Sequence, residues 1–230
     1  LNTAGGDLSI GGTVDGAAVN TQSLTLNAGT AGVVQVTGSV GQSQSLSTLT
    51  LVNSHGATFS QAVKADTSVV LTDTVAAQTI QFAGNLVTPT LTTTGSGYNL
   101  ELLGTTTSVS SATEFFNTGY LKLGNGAGDT LTFAGGLVAT APSSLSLGGT
   151  LNTTAAPMTL GDSGTALTLV DHLTLNTAGG DLSIGGTVDG ASIGAQSLTV
   201  LNSGVTTFDR AIGASHALLS LTMTATTPAN

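Results

Sequence analysis

The chain lacks cysteine and is poor in cations, aromatic residues and charge of either sign. Its 230 residues contain no cysteine, which excludes disulfides and thiolate metal sites. The cations are Lys64, Lys122 and Arg210 against 12 acidic residues, for a net charge of −9. Nucleic-acid binding needs many cations to displace counterions from phosphates, so we expect no nucleic-acid partner. The same deficit argues against an anionic membrane surface.

Long hydrophobic runs are also missing. The longest are far below the roughly 18 residues of a membrane-spanning helix, so we predict no membrane insertion. Charged residues make up 7% and aromatic residues 3%, yet 40% of the chain is hydrophobic and 32 residues are glycine. A disordered chain would carry more charge and fewer aliphatic residues. The composition predicts a fold that buries aliphatic side chains in many small, similar layers.

An internal repeat indicates how such layers arise. The segment LNTAGGDLSIGGTVDG occupies residues 1–16 and returns unchanged at residues 175–190, an offset of 174. A second match, SHGATFSQAV at 54–63 with SGVTTFDRAI at 203–212, has an offset of 149. The two offsets differ by 25, which predicts a repeating unit of about 25 residues.

Two landmarks recur at this spacing. One is an apolar-x-x-x-aliphatic motif, and its phenylalanine-containing copies begin at Phe59, Phe82, Phe133 and Phe208. The other is a corner with asparagine, found at Asn2, Asn27, Asn53, Asn152, Asn176 and Asn202. We interpret the phenylalanines as a stack of core rings, with an exposed aromatic ridge for sugars as the alternative. The asparagines are interpreted as turn residues or as a stack of amides that hydrogen-bond from unit to unit.

Within each unit, apolar and polar residues alternate as in a strand with one buried face. Examples are SLTLN, TLTLVN, YLKLGN and HLTLN, separated by Gly, Asn, Asp and Ser that favour turns. A unit of this size cannot bury its own apolar face, so neighbouring units must stack. We therefore predict an all-β chain: one continuous parallel β-solenoid over residues 1–230, with about nine rungs of roughly 25 residues. Antiparallel β-sandwich repeats remain the alternative.

The same alternation assigns the core. We expect six strand leucines to point inward and the rings of Phe82 and Phe133 to stack along one corner. The leucines are Leu24, Leu49, Leu131, Leu145, Leu173 and Leu198.

Several segments resemble the β-strand repeats of very large bacterial surface proteins. These are TFAGGL, LGDSGTALTL, DLSIGGTVDG and QSLTLNAGT, and the resemblance extends in style and period along the whole chain. The similar families are the filamentous-haemagglutinin-like and autotransporter-like adhesins. The resemblance implies export to the bacterial cell surface, a right-handed parallel β-helix, and a role in adhesion or as a stalk.

Two short motifs suggest chemistry beside a structural interpretation. GDSG at 161–164, with Asp171 and His172 close in sequence, resembles the nucleophile region of trypsin-like proteases, or forms a solenoid turn. GNGAGDTLT at 124–132 partly matches a calcium-binding nonapeptide and makes Asp129 a weak candidate ligand. Calcium requires six to eight oxygen ligands, and the chain has few carboxylates. We expect no resident metal and no cofactor.

The duplicated segment carries four acids: Asp7, Asp15, Asp181 and Asp189. Paired carboxylates could perform glycoside hydrolysis if one pKa were raised, whereas the structural interpretation makes them turn residues. We expect no catalytic residue here, because the three cations are too dispersed to join the acids in a cluster.

These observations favour a structural segment of an extracellular bacterial surface adhesin or fibre, not an enzyme, that presents a long rigid surface for attachment or assembly. Two alternatives stay open: a carbohydrate-active β-helix enzyme, and an ice- or glycan-binding module suggested by threonine-rich strands such as residues 89–94. Both ends of the sequence fall within the repeat pattern, so we expect a window of a longer repetitive chain. The expected partners are like solenoid material at one or both ends, as the same chain continued or as head-to-tail copies, and host or surface glycans.

Overall fold

The structure, a computed structural model, describes residues 1–225 of the chain, and every regular element within them is a β-strand. The strands are short because turn residues interrupt the apolar alternation every few positions. In chain order they are β1 (Leu8–Ile10), β2 (Leu24–Asn27), β3 (Val34–Val36), β4 (Leu46–Asn53), β5 (Ala57–Phe59), β6 (Val63–Leu71), β7 (Thr79–Phe82), β8 (Leu86–Thr88), β9 (Thr90–Thr92), β10 (Asn99–Leu102), β11 (Thr106–Val109), β12 (Thr113–Glu114), β13 (Leu121–Leu123), β14 (Thr130–Phe133), β15 (Leu137–Ala139), β16 (Ser144–Asn152), β17 (Met158–Leu160), β18 (Ala166–Asn176), β19 (Leu182–Ile184), β20 (Thr187–Gly190), β21 (Ser197–Leu201), β22 (Thr206–Phe208) and β23 (Ser220–Thr224).

The strand pairs of the described residues are parallel, and they form three ladders that the chain visits in a fixed order. Ladder 1 runs from β1 through β3, β5, β7, β10 and β13 into the first halves of β16 and β18, then β20. Ladder 2 contains the start of β6, β8, β11, β14, the second halves of β16 and β18, β21 and β23. Ladder 3 begins with β2, β4, the second half of β6, and the whole of β9. It continues with β12, which packs beside β9, and then with β15, β17, β19 and β22.

This pairing pattern is that of a parallel β-solenoid of about nine turns. Each turn passes ladder 3, then ladder 1, then ladder 2, and pairs with the turn before and after it. Isolated bridges extend the ladders at their ends, with Asn2 on ladder 3, Val14 on ladder 2 and Ile212 on ladder 1. The predicted parallel solenoid is therefore confirmed, and the antiparallel sandwich is wrong. At about 4.8 Å per turn, nine turns make a rod about 43 Å long.

The turns are mostly shorter, and are less regular, than the predicted period. Between the first two turns, the Val33 N–H bonds Asp7 across a sequence separation of 26. In the middle of the chain, the Gln81 amide bonds its register partner Glu101 across a separation of only 20. A motif that recurs at the predicted period of about 25 residues therefore falls on a later ladder once the chain has passed through these short middle turns.

The duplicated segment shows the consequence. Leu8 of the first copy lies on ladder 1, whereas Leu182, its counterpart, lies on ladder 3. The turn that precedes each strand is nonetheless the same, since Ala4 and Gly5 have φ angles of 54° and 110°, and Ala178 and Gly179 have 50° and 106°. The same sequence thus makes the same turn on two different sides of the solenoid.

The core is a set of aliphatic columns that run along the rod. Five of the six leucines predicted to point inward are buried, and Leu24, near the N-terminal end, is half-buried. At about 25 cal/mol per Å² of apolar surface, each buried leucine contributes about 1.5–3 kcal/mol relative to an exposed one. None of the described residues forms an apolar helix long enough to cross a membrane.

The phenylalanines do not form one stack. Phe59 and Phe82 pair on ladder 1, and their rings stack with centroids 4.7 Å apart. Phe133 lies on ladder 2 and meets Phe115 edge to face at 5.8 Å, so the predicted stacking of Phe82 with Phe133 is wrong. Phe208 lies on ladder 3, half-buried. The short middle turns are the cause, because they shift the later copies of the motif onto other ladders.

Candidate functional site: the corners and the two ends

A recurring feature of the corners is a hydrogen bond between a side chain and a nearby backbone N–H. The side-chain oxygen of Asn2 accepts from the N–H of Ala4, and that of Asn176 accepts from Ala178. Asn27 accepts in the same way from Gly29. Short polar side chains favour such turns because the oxygen reaches the backbone two residues on. These asparagines therefore fix the direction of the corner that follows them.

The six asparagines lie in more than one stack. Asn2, Asn27 and Asn53 are register partners on ladder 3, whereas Asn152 and Asn176 are partners on ladder 2. Asn202 follows Leu201, which is the residue that pairs with Asn176.

The side-chain amides of these asparagines do not bond to one another within the described residues. The amide of Asn202, for example, accepts from the Thr177 hydroxyl at 2.6 Å and donates to Thr206 at 3.0 Å. The interpretation as turn residues therefore describes them better than a continuous stack of bonded amides.

The four acids of the duplicated segment connect successive turns. The carboxylate of Asp7 accepts from the N–H of Val33, and that of Asp181 accepts from the N–H of Val205, each at 2.9 Å. Asp15 accepts from Ser43 and Gln44 at 2.9 and 3.3 Å, and Asp189 accepts from Ser215 and His216 at 2.8 and 3.0 Å. Each copy thus makes the same bonds to the turn above it. These carboxylates are occupied by backbone donors rather than aimed at a shared reacting position.

Asp129 belongs to a tight corner. Its carboxylate oxygen accepts from the N–H groups of Asn125 and Gly126, at 2.8 and 2.9 Å, and the residue is buried. Within residues 1–225 there is no group of three or more His, Asp and Glu that could hold a metal ion. The groups that contact the Asp129 carboxylate are backbone N–H donors. They donate hydrogen bonds to a carboxylate, but they cannot act as ligands for a cation.

The residues that resemble a protease site lie at two different corners. The segment 161–164 lies between β17 on ladder 3 and β18 on ladder 1, whereas His172 lies where β18 passes from ladder 1 to ladder 2. Asp162 accepts from the Gly164 N–H and the Thr165 hydroxyl, and the Thr165 hydroxyl above all holds the pKa of Asp162 below its usual value of 3.8. The Nδ1 atom of His172 accepts from the N–H of Ser197. The Asp162 bonds hold one corner together, and the His172 bond joins two successive turns.

One cluster on the outer side of ladder 1 escaped the sequence analysis. The carboxylate of Glu101 accepts from the Tyr120 hydroxyl and from the Gln81 amide, both at 2.7 Å, and Lys122 is the register partner of Glu101. Burial raises the pKa of Tyr120 above 10.0. The residues come from three successive turns, so only the shortened register brings them together. Their separations in sequence differ from the predicted period, so no motif indicated the cluster.

A second group that the sequence analysis missed fills the corner between ladders 3 and 1. Tyr98 is fully buried, its hydroxyl accepts from the Thr94 N–H at 3.2 Å and donates to the Leu71 carbonyl at 3.3 Å, and burial raises its pKa above 10.0. The amide of Asn117, also buried, donates to the Tyr98 carbonyl at 3.3 Å. A tyrosine in a polar, glycine-rich stretch is expected at the surface. Its burial here depends on the lengths of the surrounding turns, which the sequence pattern does not indicate.

Among the described residues, the first and last turns expose side chains of the core columns. At the N-terminal end, which we define as residues 1–14, Leu1 is 65% exposed and Ile10 and Val14 are half-buried. At the C-terminal end, which we define as residues 202–224, Leu221 and Met223 are 45% and 55% exposed. A depression of about 320 Å³ at this end is lined by residues that include Val200 and Met223. Apolar side chains of the kind that interior turns bury therefore face outward at both ends.

The ladders and corners define a β-solenoid repeat protein. Comparisons with protein-family models, with curated proteins and with solved structures find no match to this chain.

Proposed function

We propose that the chain is a structural segment of an extracellular bacterial surface adhesin or fibre. The observation that carries the proposal is the unbroken run of nine pairings on ladder 1, from Leu8 to Ile212, over a core of aliphatic columns. Ladder 2 is also continuous, so bending the rod requires that many bonds break together. A stiff rod of this kind holds binding groups away from a cell surface.

The placement of the polar residues supports the same function. The acids Asp7, Asp15, Asp181 and Asp189 accept backbone N–H groups of the following turn, and corner asparagines accept N–H groups of their own turn. The hydrogen bonds that recur along the chain are therefore ones that shape its corners and join its successive turns. The repeats resemble those of surface adhesins in composition as well, with small polar residues on the outer side of the strands.

The test is where the protein lies and what it does there. Antibodies raised against the 230-residue chain should label intact, unpermeabilised bacteria that carry the gene, and protease treatment of whole cells should remove the label. A label that appears only after permeabilisation would overturn the proposal. A screen for turnover of acidic polysaccharides addresses the enzyme alternative, since reproducible turnover that is lost in Asp7→Asn or Asp181→Asn would replace a structural role with a catalytic one.

A further inference from the structure

Over six successive turns, one column of outward side chains on ladder 2 consists of threonine alone. Its members are register partners from β11 to β23, and we call them the threonine row. They are Thr106, Thr130, Thr150, Thr174, Thr199 and Thr222. Leu131, Leu151 and Leu175, which each follow a member of the row in sequence, are fully buried. Because side chains alternate along a strand, the threonines face outward.

The outward columns of the other two ladders are mixed. On ladder 1, Gln81, Glu101 and Lys122 are register partners in three successive turns. On ladder 3, Glu114 pairs with Val138. The preference of threonine for strands acts on all three ladders alike. It therefore does not explain why ladder 2 repeats threonine without interruption.

The threonine-rich stretch that suggested an ice- or glycan-binding module in the sequence does not form such a column. Residues 89–94 contribute β9 on ladder 3, where Thr90 pairs with Ser68 and Thr92 with Val70. The hydroxyl of Thr93 donates to the Glu114 carbonyl. The regular face lies on ladder 2 instead, and only the register of the turns brings its threonines together.

The hydroxyls of the threonine row are available to a ligand. No hydrogen bond within residues 1–225 engages them, in contrast to the corner hydroxyls of Thr105, Thr165 and Thr177, which bond to neighbouring groups. Thr106 and Thr130 are exposed, and Thr150 is half-buried between its neighbours in the row. The row therefore presents unused donors and acceptors to solvent.

A second column runs beside the threonine row, two residues further along each strand. It contains Ser108, Thr132, Asn152, Asn176, Leu201 and Thr224. Neither column contains a charged or an aromatic residue. Without an aromatic ring the face offers no stacking surface for a sugar, and without charge it offers no attraction to an ionic ligand. Uncharged groups at regular intervals are what this face repeats.

Regular hydroxyl and methyl groups on a rigid face can order water. Threonine is stiff at χ1, so its hydroxyl and methyl positions can repeat from turn to turn. The interval along the row is about 4.8 Å, the distance between paired strands, which is close to the shortest lattice repeat of hexagonal ice. A hydroxyl holds a water molecule nearly as well as it holds a protein group, and the methyl group restricts the water beside it.

We propose that the threonine row and the column beside it form an ice-binding face. The hydroxyls anchor water molecules at the interval of the turns, and this ordered layer joins the lattice of an ice crystal. The ligand is crystalline water, which matches the face in spacing and in lack of charge. This inference goes beyond the proposed function, because a structural segment of an adhesin or fibre does not need to bind ice.

The decisive comparison uses two threonines of the same strand. Thr174→Tyr places a bulky ring in the middle of the threonine row, and Thr168→Tyr places the same ring on the outer side of ladder 1. Both residues are half-buried and face outward, and tyrosine favours strands, so both variants should melt close to wild type. Thr150→Tyr and Ser146→Tyr repeat the comparison on β16.

Two measurements report ice binding: the gap between melting and freezing temperatures of a single ice crystal, and the partition of labelled protein into slowly growing ice. Wild type, Thr168→Tyr and Ser146→Tyr should enter the ice and open a gap. Thr174→Tyr and Thr150→Tyr should lose at least tenfold in partition. Wild-type protein that ice excludes would overturn the proposal, as would equal losses on both ladders.

Binding to insoluble cellulose or chitin without binding to ice would also overturn the proposal and would assign the face to glycans. Labelling of intact cells does not depend on any of these results. A protein that is exposed on the cell surface and excluded from ice would therefore end this inference and keep the proposed function.

Discussion

The rings of Phe59 and Phe82 lie one above the other in successive turns of ladder 1, with centroids 4.7 Å apart and planes 7° from parallel. Their separation matches the distance between turns, so each ring fills its own layer and covers the next. Below them the column continues with Val36 and above them with Leu102. An aromatic and an aliphatic side chain can therefore replace each other in this column, provided that the replacement still fills its layer.

The first prediction concerns this pair. Phe82→Ala should lower the free energy of unfolding by about 3–5 kcal/mol, because loss of the ring leaves a cavity that two fixed turns cannot close. Phe82→Leu should cost below about 1.5 kcal/mol, since leucine occupies the same column at Leu102. Chemical denaturation of both variants checks this, with the exposed Phe116→Ala as the control. Equal losses for alanine and leucine would show that the column does not require a filled layer.

The alternation of apolar and polar residues predicted most of the core, and the internal repeat of about 25 residues predicted the parallel solenoid and its approximate number of turns. Leu49, Leu131 and Leu145 are buried as the alternation requires. This success has a local cause, because side-chain direction in a strand follows from alternation alone.

Register could not be predicted in the same way, because it depends on the length of each turn. The turns from Ile80 to Leu100 and from Leu100 to Leu121 are among the shortest on ladder 1, and no motif marks the shortening. Tyr98 and Asn117 lie in these turns. Contacts between turns, such as that of Tyr120 with Glu101, were therefore beyond what the sequence pattern contains.

The second prediction uses the two copies of the duplicated segment as mutual controls. Asp181→Ala removes the acceptor of the Val205 N–H and should cost about 0.5–1 kcal/mol, at the low end for a hydrogen bond because water reaches the exposed group. Asp7→Ala should have a similar effect on Val33. Amide hydrogen exchange should accelerate at Val205 in the first variant and at Val33 in the second. Acceleration at the non-partner residue in either variant would contradict the assigned bonds.

The third prediction concerns alkaline pH. Burial raises the pKa of Tyr98 and that of Tyr120 above 10.0, so the folded protein holds both phenolic protons more tightly than the unfolded chain does. The resulting stabilisation is complete below about pH 10 and is lost as the pH rises through the raised pKa values of the folded protein. The free energy of unfolding should therefore fall above about pH 10.

Tyr98→Phe and Tyr120→Phe supply the controls for this pH dependence. Tyr98→Phe should be less stable at neutral pH, because the Leu71 carbonyl loses its phenolic donor and the Thr94 N–H its acceptor, but its stability should depend less on alkaline pH. Denaturant titrations at several pH values, with tyrosine ionisation followed by absorbance, measure both effects. An alkaline slope that is the same in wild type and in both variants would assign it to other groups.

The fourth prediction concerns how the monomer opens. A solenoid gains its stability from contacts between neighbouring turns, so an end turn with one neighbour opens at a lower free energy than a central turn with two. β23 pairs only with β21 among the described strands and its side chains are exposed, whereas β13 lies between β10 and β16 with Leu121 and Leu123 fully buried.

Amide exchange in the 230-residue chain should therefore be fastest in β23 and in the first turn and slowest around β13 and β16. Equal protection of β23 and β13 would contradict the prediction, because it would mean that the end turns are held as firmly as the central ones.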